Sequence, residues 1–112
     1  MDLATTPYPD MTVITVNAAR IDAAAAIAFK DAMRAALADG PDHVVLDLSQ
    51  VTFVDSSGLG AIVAAMKMTG DGRRLDLAGL TPDVAKVFRL TRMDTIFTIH
   101  PDIGRLVRRA TG

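Results

Sequence analysis

The chain has 112 residues, no cysteine or tryptophan, 12 Lys+Arg against 13 acidic residues, and 50% of its positions in the hydrophobic set. That length suits one domain able to bury roughly two-thirds of the surface its unfolded form exposes, so a core needs no disulfide, and thiol chemistry is excluded. A net charge of −1 argues against nucleic-acid binding, which calls for a basic excess. No apolar run approaches the ~18 residues of a membrane span, and Met1-Asp2-Leu3 lacks the basic start of a signal peptide. The expectation is therefore a soluble, cytoplasmic protein without direct membrane insertion.

Every acidic residue is Asp. Asp competes for backbone hydrogen bonds and favours caps and turns, so the acidic positions are expected at element boundaries. Leu3 to Tyr8 reads as a short edge strand turned by Pro9-Asp10, and the β-branched run Thr12 to Val16 as a second strand. Ile21, Ala25, Ala28, Phe29, Ala32, Met33, Ala36 and Leu37 recur at steps of three and four, which predicts an amphipathic helix closed by Gly40-Pro41. Val44 to Leu48 is nearly continuous in apolar residues, as in a strand covered on both faces, and Val51 to Val54 extends or follows it.

Asp55-Ser56-Ser57-Gly58-Leu59-Gly60 then makes a polar turn into a helix carrying Leu59, Ile62, Val63 and Met66, with Gly70-Asp71-Gly72 at its end. Arg74 to Ala78 is a strand. Thr81-Pro82 reads as an N-cap with proline at the first helical position, followed by Val84, Val87 and Phe88. Ile96 to Ile99 is a last short strand, and Pro101 opens a terminal helix with Ile103, Leu106 and Val107 inward. Strand and helix alternate, so the predicted class is α/β with a mixed, mostly parallel sheet of four or five strands, right-handed crossovers and about four helices.

In an open α/β sheet, function concentrates where a strand's carboxyl end meets a helix. The Asp55 to Gly60 turn is that place. Ser and Asp before a helix serve as caps, which accounts for Asp55, Ser56 and Ser57 but not for two glycines, each costing about 1 kcal/mol against alanine in a helix. Ala61, Ala64, Ala65 and Met68 fall away from the Leu59/Ile62/Met66 side with only Lys67 as a charge. A solvated face would carry more. The combination predicts a docking surface of small residues, with hydroxyls at the helix N-terminus, where a phosphate dianion is tolerated.

The stretch from Val45 through Asp47, Val51, Phe53 and Val54 to Asp55-Ser56-Ser57-Gly58-Leu59-Gly60 resembles the signature of STAS domains, specifically of bacterial anti-sigma factor antagonists. The resemblance runs from about Thr12 to Val107 and implies a single STAS domain over residues 1–112. It also implies partner switching. The unphosphorylated antagonist binds an anti-sigma factor that is itself a GHKL-type serine kinase, that kinase phosphorylates the serine after the Asp, and a PP2C-type phosphatase reverses the step. By position the phosphoacceptor is Ser56, with Ser57 second. The partner surface comprises Asp22, Asp55, Ser57, Gly58, Leu59, Gly60, Ala61, Ala64, Ala65 and Met68. Two places depart from the family pattern: Ala19-Arg20-Ile21-Asp22 lacks a glycine before the first helix, and Thr91-Arg92-Met93 replaces a Ser-Gly-Leu.

Other chemistries fit less well. There is no Gly-x-Ser-x-Gly elbow to strain a nucleophile, and His43 and His100 read as strand-end or cap residues, so no catalytic residue is expected. No metal-ligand spacing occurs. Gly58-x-Gly60 is too short for a dinucleotide fingerprint, and no cofactor is expected. Arg105, Arg108 and Arg109 read as a solvated helix end complementing its dipole. The rival within the same family is a noncatalytic STAS subunit of a membrane lipid-transport ABC complex.

Overall fold

The computed structural model describes residues 1–38, 42–70 and 72–111. Strands β1 (Leu3–Tyr8) and β2 (Met11–Val16) form an antiparallel hairpin. There follow β3 (Arg20–Ile21), α1 (Ala26–Leu37), β4 (His43–Asp47), β5 (Phe53–Val54), α2 (Ser56–Met68), β6 (Arg74–Ala78) and α3 (Pro82–Leu90). A one-turn 3-10 helix (Met93–Thr95), β7 (Ile99–His100) and α4 (Ile103–Thr111) complete the chain. The main sheet runs β1-β2-β4-β6-β7, parallel except at β1, and β3 pairs with β5 in a separate parallel ladder. Pro7 is accommodated because β1 is an edge strand.

Each central strand is covered on both faces. Ile14, Val44, Leu46, Leu75 and Leu77 meet Phe29 and Met33 of α1, Ile62 and Ala65 of α2, and Val84 and Phe88 of α3. On the other face Met11, Val13, Val45 and Ala78 pack with Tyr8 and with Ile103, Leu106 and Val107 of α4. This explains why Val44 to Leu48 shows no alternation between apolar and polar residues. The inward assignment of Ile103, Leu106 and Val107 agrees.

The structure corrects several expectations. Ile21 does not begin α1; it is fully buried in β3 opposite Val54, and the chain turns at Asp22, whose Oδ1 accepts the Ala25 N–H at 3.1 Å. Ladder pairing here overrides a periodicity that read as helical. Ala28 is exposed. The Thr81 hydroxyl donates to the Val51 carbonyl at 2.7 Å and makes no cap bond, so it ties α3 to the segment before β5. The last strand starts at Ile99, not Ile96, because Arg92 in the left-handed region (φ 60°) turns the chain into the 3-10 helix and Phe97 packs edge-on against Phe88 with ring centroids 6.0 Å apart. Gly40-Pro41 and Asp71 lie outside the described residues.

Candidate functional site

The site is built where the first turns of α1 and α2 adjoin. Asp55 leaves β5 in extended conformation and caps α2, its Oδ1 accepting the Gly58 N–H at 2.8 Å. Its other oxygen, Oδ2, accepts the Ala23 N–H at 3.0 Å, so one carboxylate holds both the helix start and the turn into α1. Asp22, on that turn, takes Arg20 Nε at 3.2 Å as well as the Ala25 N–H. The Arg20 hydrogen bond, outweighing the cost of desolvation, holds the Asp22 carboxyl below the usual carboxylate range. Arg20 also lies over the Phe53 ring, 4.0 Å from its centroid.

Gly58 is required by a close approach. A Cβ there would stand 1.8 Å from the Ile21 carbonyl oxygen, inside the β3 backbone. Gly60 differs, for a Cβ there would meet nothing within 4 Å. The fold requires the first glycine and not the second, and Gly60 is exposed.

Ser56 and Ser57 are exposed on the first turn of α2, and Ala64 and Met68, half-buried, continue along the same side past Gly60. Ala61 (2% exposed) and Ala65 (0%) do not belong to that outer side. They point with Ile62 into the core, because at 100° per residue they share the arc of Gly58 and Leu59. Leu59 and Gly58 are likewise buried, so of the predicted partner surface Ser57, Gly60 and Ala64 are available on α2, Met68 only in part because it also packs against the core, and Asp22 and Asp55 lie half-buried between the helix starts. Two exposed apolar side chains escaped sequence reasoning. Ile27 on the first turn of α1 is 69% exposed, out of phase with the inward Ala26, Phe29 and Met33, and Phe53 beside Arg20 is 39% exposed.

A second polar assembly lies elsewhere. Asp76, 1% exposed on β6, accepts from Arg74 Nε and Nη2 at 2.8 Å each and meets Nε2 of both His43 and His100 at 2.9 Å. Burial alone would raise its carboxyl, but the bonds from Arg74, His100 and His43 outweigh it and hold the group below the usual range. Thus the two histidines are strand-end residues, joined by one carboxylate. Asp76 sits in register with Val45 and His100 with Ala78, on the α4 face, while Ser56 begins α2 on the opposite face. The serines therefore have no imidazole base. Among the described residues no group of three or more His or Asp side chains is arranged to hold a metal ion, and no helix is long and apolar enough to cross a membrane.

Comparison with known proteins places this architecture. The STAS domain family model matches residues 2–106. A STAS-domain containing protein of Pseudomonas aeruginosa is 29% identical over 101 residues, spanning 88% of this chain and 99% of that one. Among solved structures, an anti-sigma factor antagonist from Mycobacterium paratuberculosis superposes with a TM-score of 0.84 at 25% identity, covering 99% of this chain and 94% of the other. A STAS-domain protein from Planctomyces limnophilus shares the fold with a TM-score of 0.85 at 19% identity over the full length of both chains.

Proposed function

This chain belongs to the STAS domain family, and from that premise we propose that it is a cytoplasmic, noncatalytic anti-sigma factor antagonist controlled by phosphorylation of Ser56. Its partner in this reading is a GHKL-type anti-sigma factor that is also a serine kinase, and a PP2C-type phosphatase restores the unmodified form. The observation that carries the reading is the exposed Ser56 on a capped helix start, followed along the outer side of α2 by Ser57, Gly60 and Ala64. Such a surface of short side chains lets a partner backbone come close and buries apolar area around the hydroxyl. Similarity to the mycobacterial antagonist supports the general role.

The switch follows from charge. A phosphoserine adds about −1.5 to −2 charges. At the N-terminus of α2 the helix dipole offsets part of that cost, so the fold is retained. In an interface the same charge must be desolvated beside Asp55, and an uncompensated buried charge costs at least ~3 kcal/mol. Binding is therefore lost without unfolding.

The test is calorimetric titration of purified GHKL-type kinases from the source organism with the unmodified protein and with Ser56→Asp. The expected result is tight 1:1 binding of the unmodified chain to one kinase and a loss of about 100-fold in the variant. Failure of every kinase to bind, together with a stable complex with a lipid-transport ATPase subunit, would replace this reading with the transport-subunit role.

A further inference from the structure

A cavity of about 290 Å³ opens at the sheet edge, where α3, the 3-10 helix and the β7–α4 connection meet. It lies beyond the carboxyl ends of parallel strands β6 and β7. Its volume lies just under the lower end of the roughly 300–1,000 Å³ range of ligand sites, which suits a small ligand. Leu80, Ala85, Ile99 and Pro101 supply the apolar part of the lining, and Arg89, Asp94 and His100 the polar part.

The polar groups have a particular arrangement. Arg89 and Asp94 border the same cavity with opposite charges, yet neither forms an ion pair with any described residue. His100 is held by its Nε2 bond to the buried Asp76, which fixes the ring and leaves Nδ1 as its second polar atom. One guanidinium, one carboxylate and one oriented imidazole stand around an apolar wall, so the cavity offers an acidic and a basic side chain together. A phosphate or other dianion would be repelled by Asp94, and a simple cation by Arg89. The complementary ligand carries both charges close together on an aliphatic body.

We propose that this cavity binds a free aliphatic α-amino acid as its zwitterion. The carboxylate pairs with the Arg89 guanidinium, which suits planar two-point recognition. The ammonium faces Asp94 and the His100 imidazole, and the aliphatic side chain packs against Leu80, Ala85, Ile99 and Pro101. This site is independent of the Ser56 switch.

The experiment is a ¹H–¹⁵N NMR titration of the whole chain with L-leucine, L-isoleucine and L-valine, each added alone. At least one should give saturable shifts at Ala85, Ile99 and His100 with a Kd on the order of 1 mM. Arg89→Gln and Asp94→Asn, both at exposed positions, should each weaken that binding about tenfold, the loss of one charge-assisted contact. L-leucinamide, lacking the carboxylate, and 4-methylpentanoate, lacking the amine, should bind correspondingly more weakly than leucine. Absence of saturable shifts with all three amino acids overturns the proposal. So does equal binding of leucinamide or 4-methylpentanoate, or insensitivity to both substitutions in chains with unchanged circular dichroism.

Discussion

The two glycines at the start of α2 make opposite predictions. At Gly58 an added methyl carbon would sit 1.8 Å from the Ile21 carbonyl oxygen and 2.7 Å from its carbon. That is more than ~1 Å short of a permitted contact. The obstacle is backbone held in the β3–β5 ladder, so no side-chain rotation relieves it. Gly58→Ala must push β3 from α2 and strain the Asp55 bond to Ala23, and the expected cost is about 3 kcal/mol, the upper end for overpacking. At Gly60 the methyl meets no atom within 4 Å, so Gly60→Ala gains helix propensity, about 1 kcal/mol, with a melting temperature raised by roughly 4 °C. Urea unfolding followed by far-ultraviolet circular dichroism measures both, the chain having no tryptophan. A destabilised Gly60→Ala, or a Gly58→Ala indistinguishable from the parent, would refute the reasoning. If Gly60 is exposed for the partner's sake, the stabilised variant also binds it more weakly, by roughly tenfold, a trade of stability against function.

Asp55→Ala removes the acceptor for two backbone donors, Gly58 N–H and Ala23 N–H, and is expected to cost about 1–2 kcal/mol in urea unfolding; Asp55→Asn, which keeps one carbonyl acceptor, should cost less than half of that. The Asp76 network makes an acid-limb prediction. Because the folded carboxyl lies below its unfolded value, its contribution is fully present above the ordinary aspartate value near pH ~4 and is lost as pH falls through the lower folded value. Asp76→Asn should lower stability at pH 7 by about 2 kcal/mol and flatten the decline below pH ~4; an unchanged acid limb in the variant would show that this carboxylate is not its source.

Much of the fold is legible in the sequence because it is encoded locally. Pro9-Asp10 turns the first hairpin, β-branched Thr12 to Val16 makes β2, and the apolar Val44 to Leu48 run marks a strand covered on both faces. Asp55 is readable as a cap before the helix it caps. What escapes is encoded between distant segments. The β3–β5 ladder is two residues long, so neither strand carries a pattern of its own. The orientation of α2 is ambiguous because Gly58, Gly60, Ala61, Ala64 and Ala65 differ too little in size and polarity to mark an inward side, and the helix is apolar nearly all round. The same lack of contrast put Ala61 and Ala65 on the wrong face. His43 and His100 meet Asp76 across 33 and 24 positions, a contact no local motif announces. Ile27 alone left a sequence signal, an aliphatic side chain off the phase of its own helix.

Intact-mass spectrometry of the protein incubated with ATP and the kinase it binds, with peptide mapping of the product, tests the central claim most directly. The account predicts one added phosphate, located on Ser56, its absence in Ser56→Ala, and a phosphorylated product that no longer binds that kinase while its circular dichroism and unfolding midpoint change little. A chain that acquires no phosphate, one modified elsewhere with Ser56 untouched, or a phosphorylated form that still binds as tightly would contradict it.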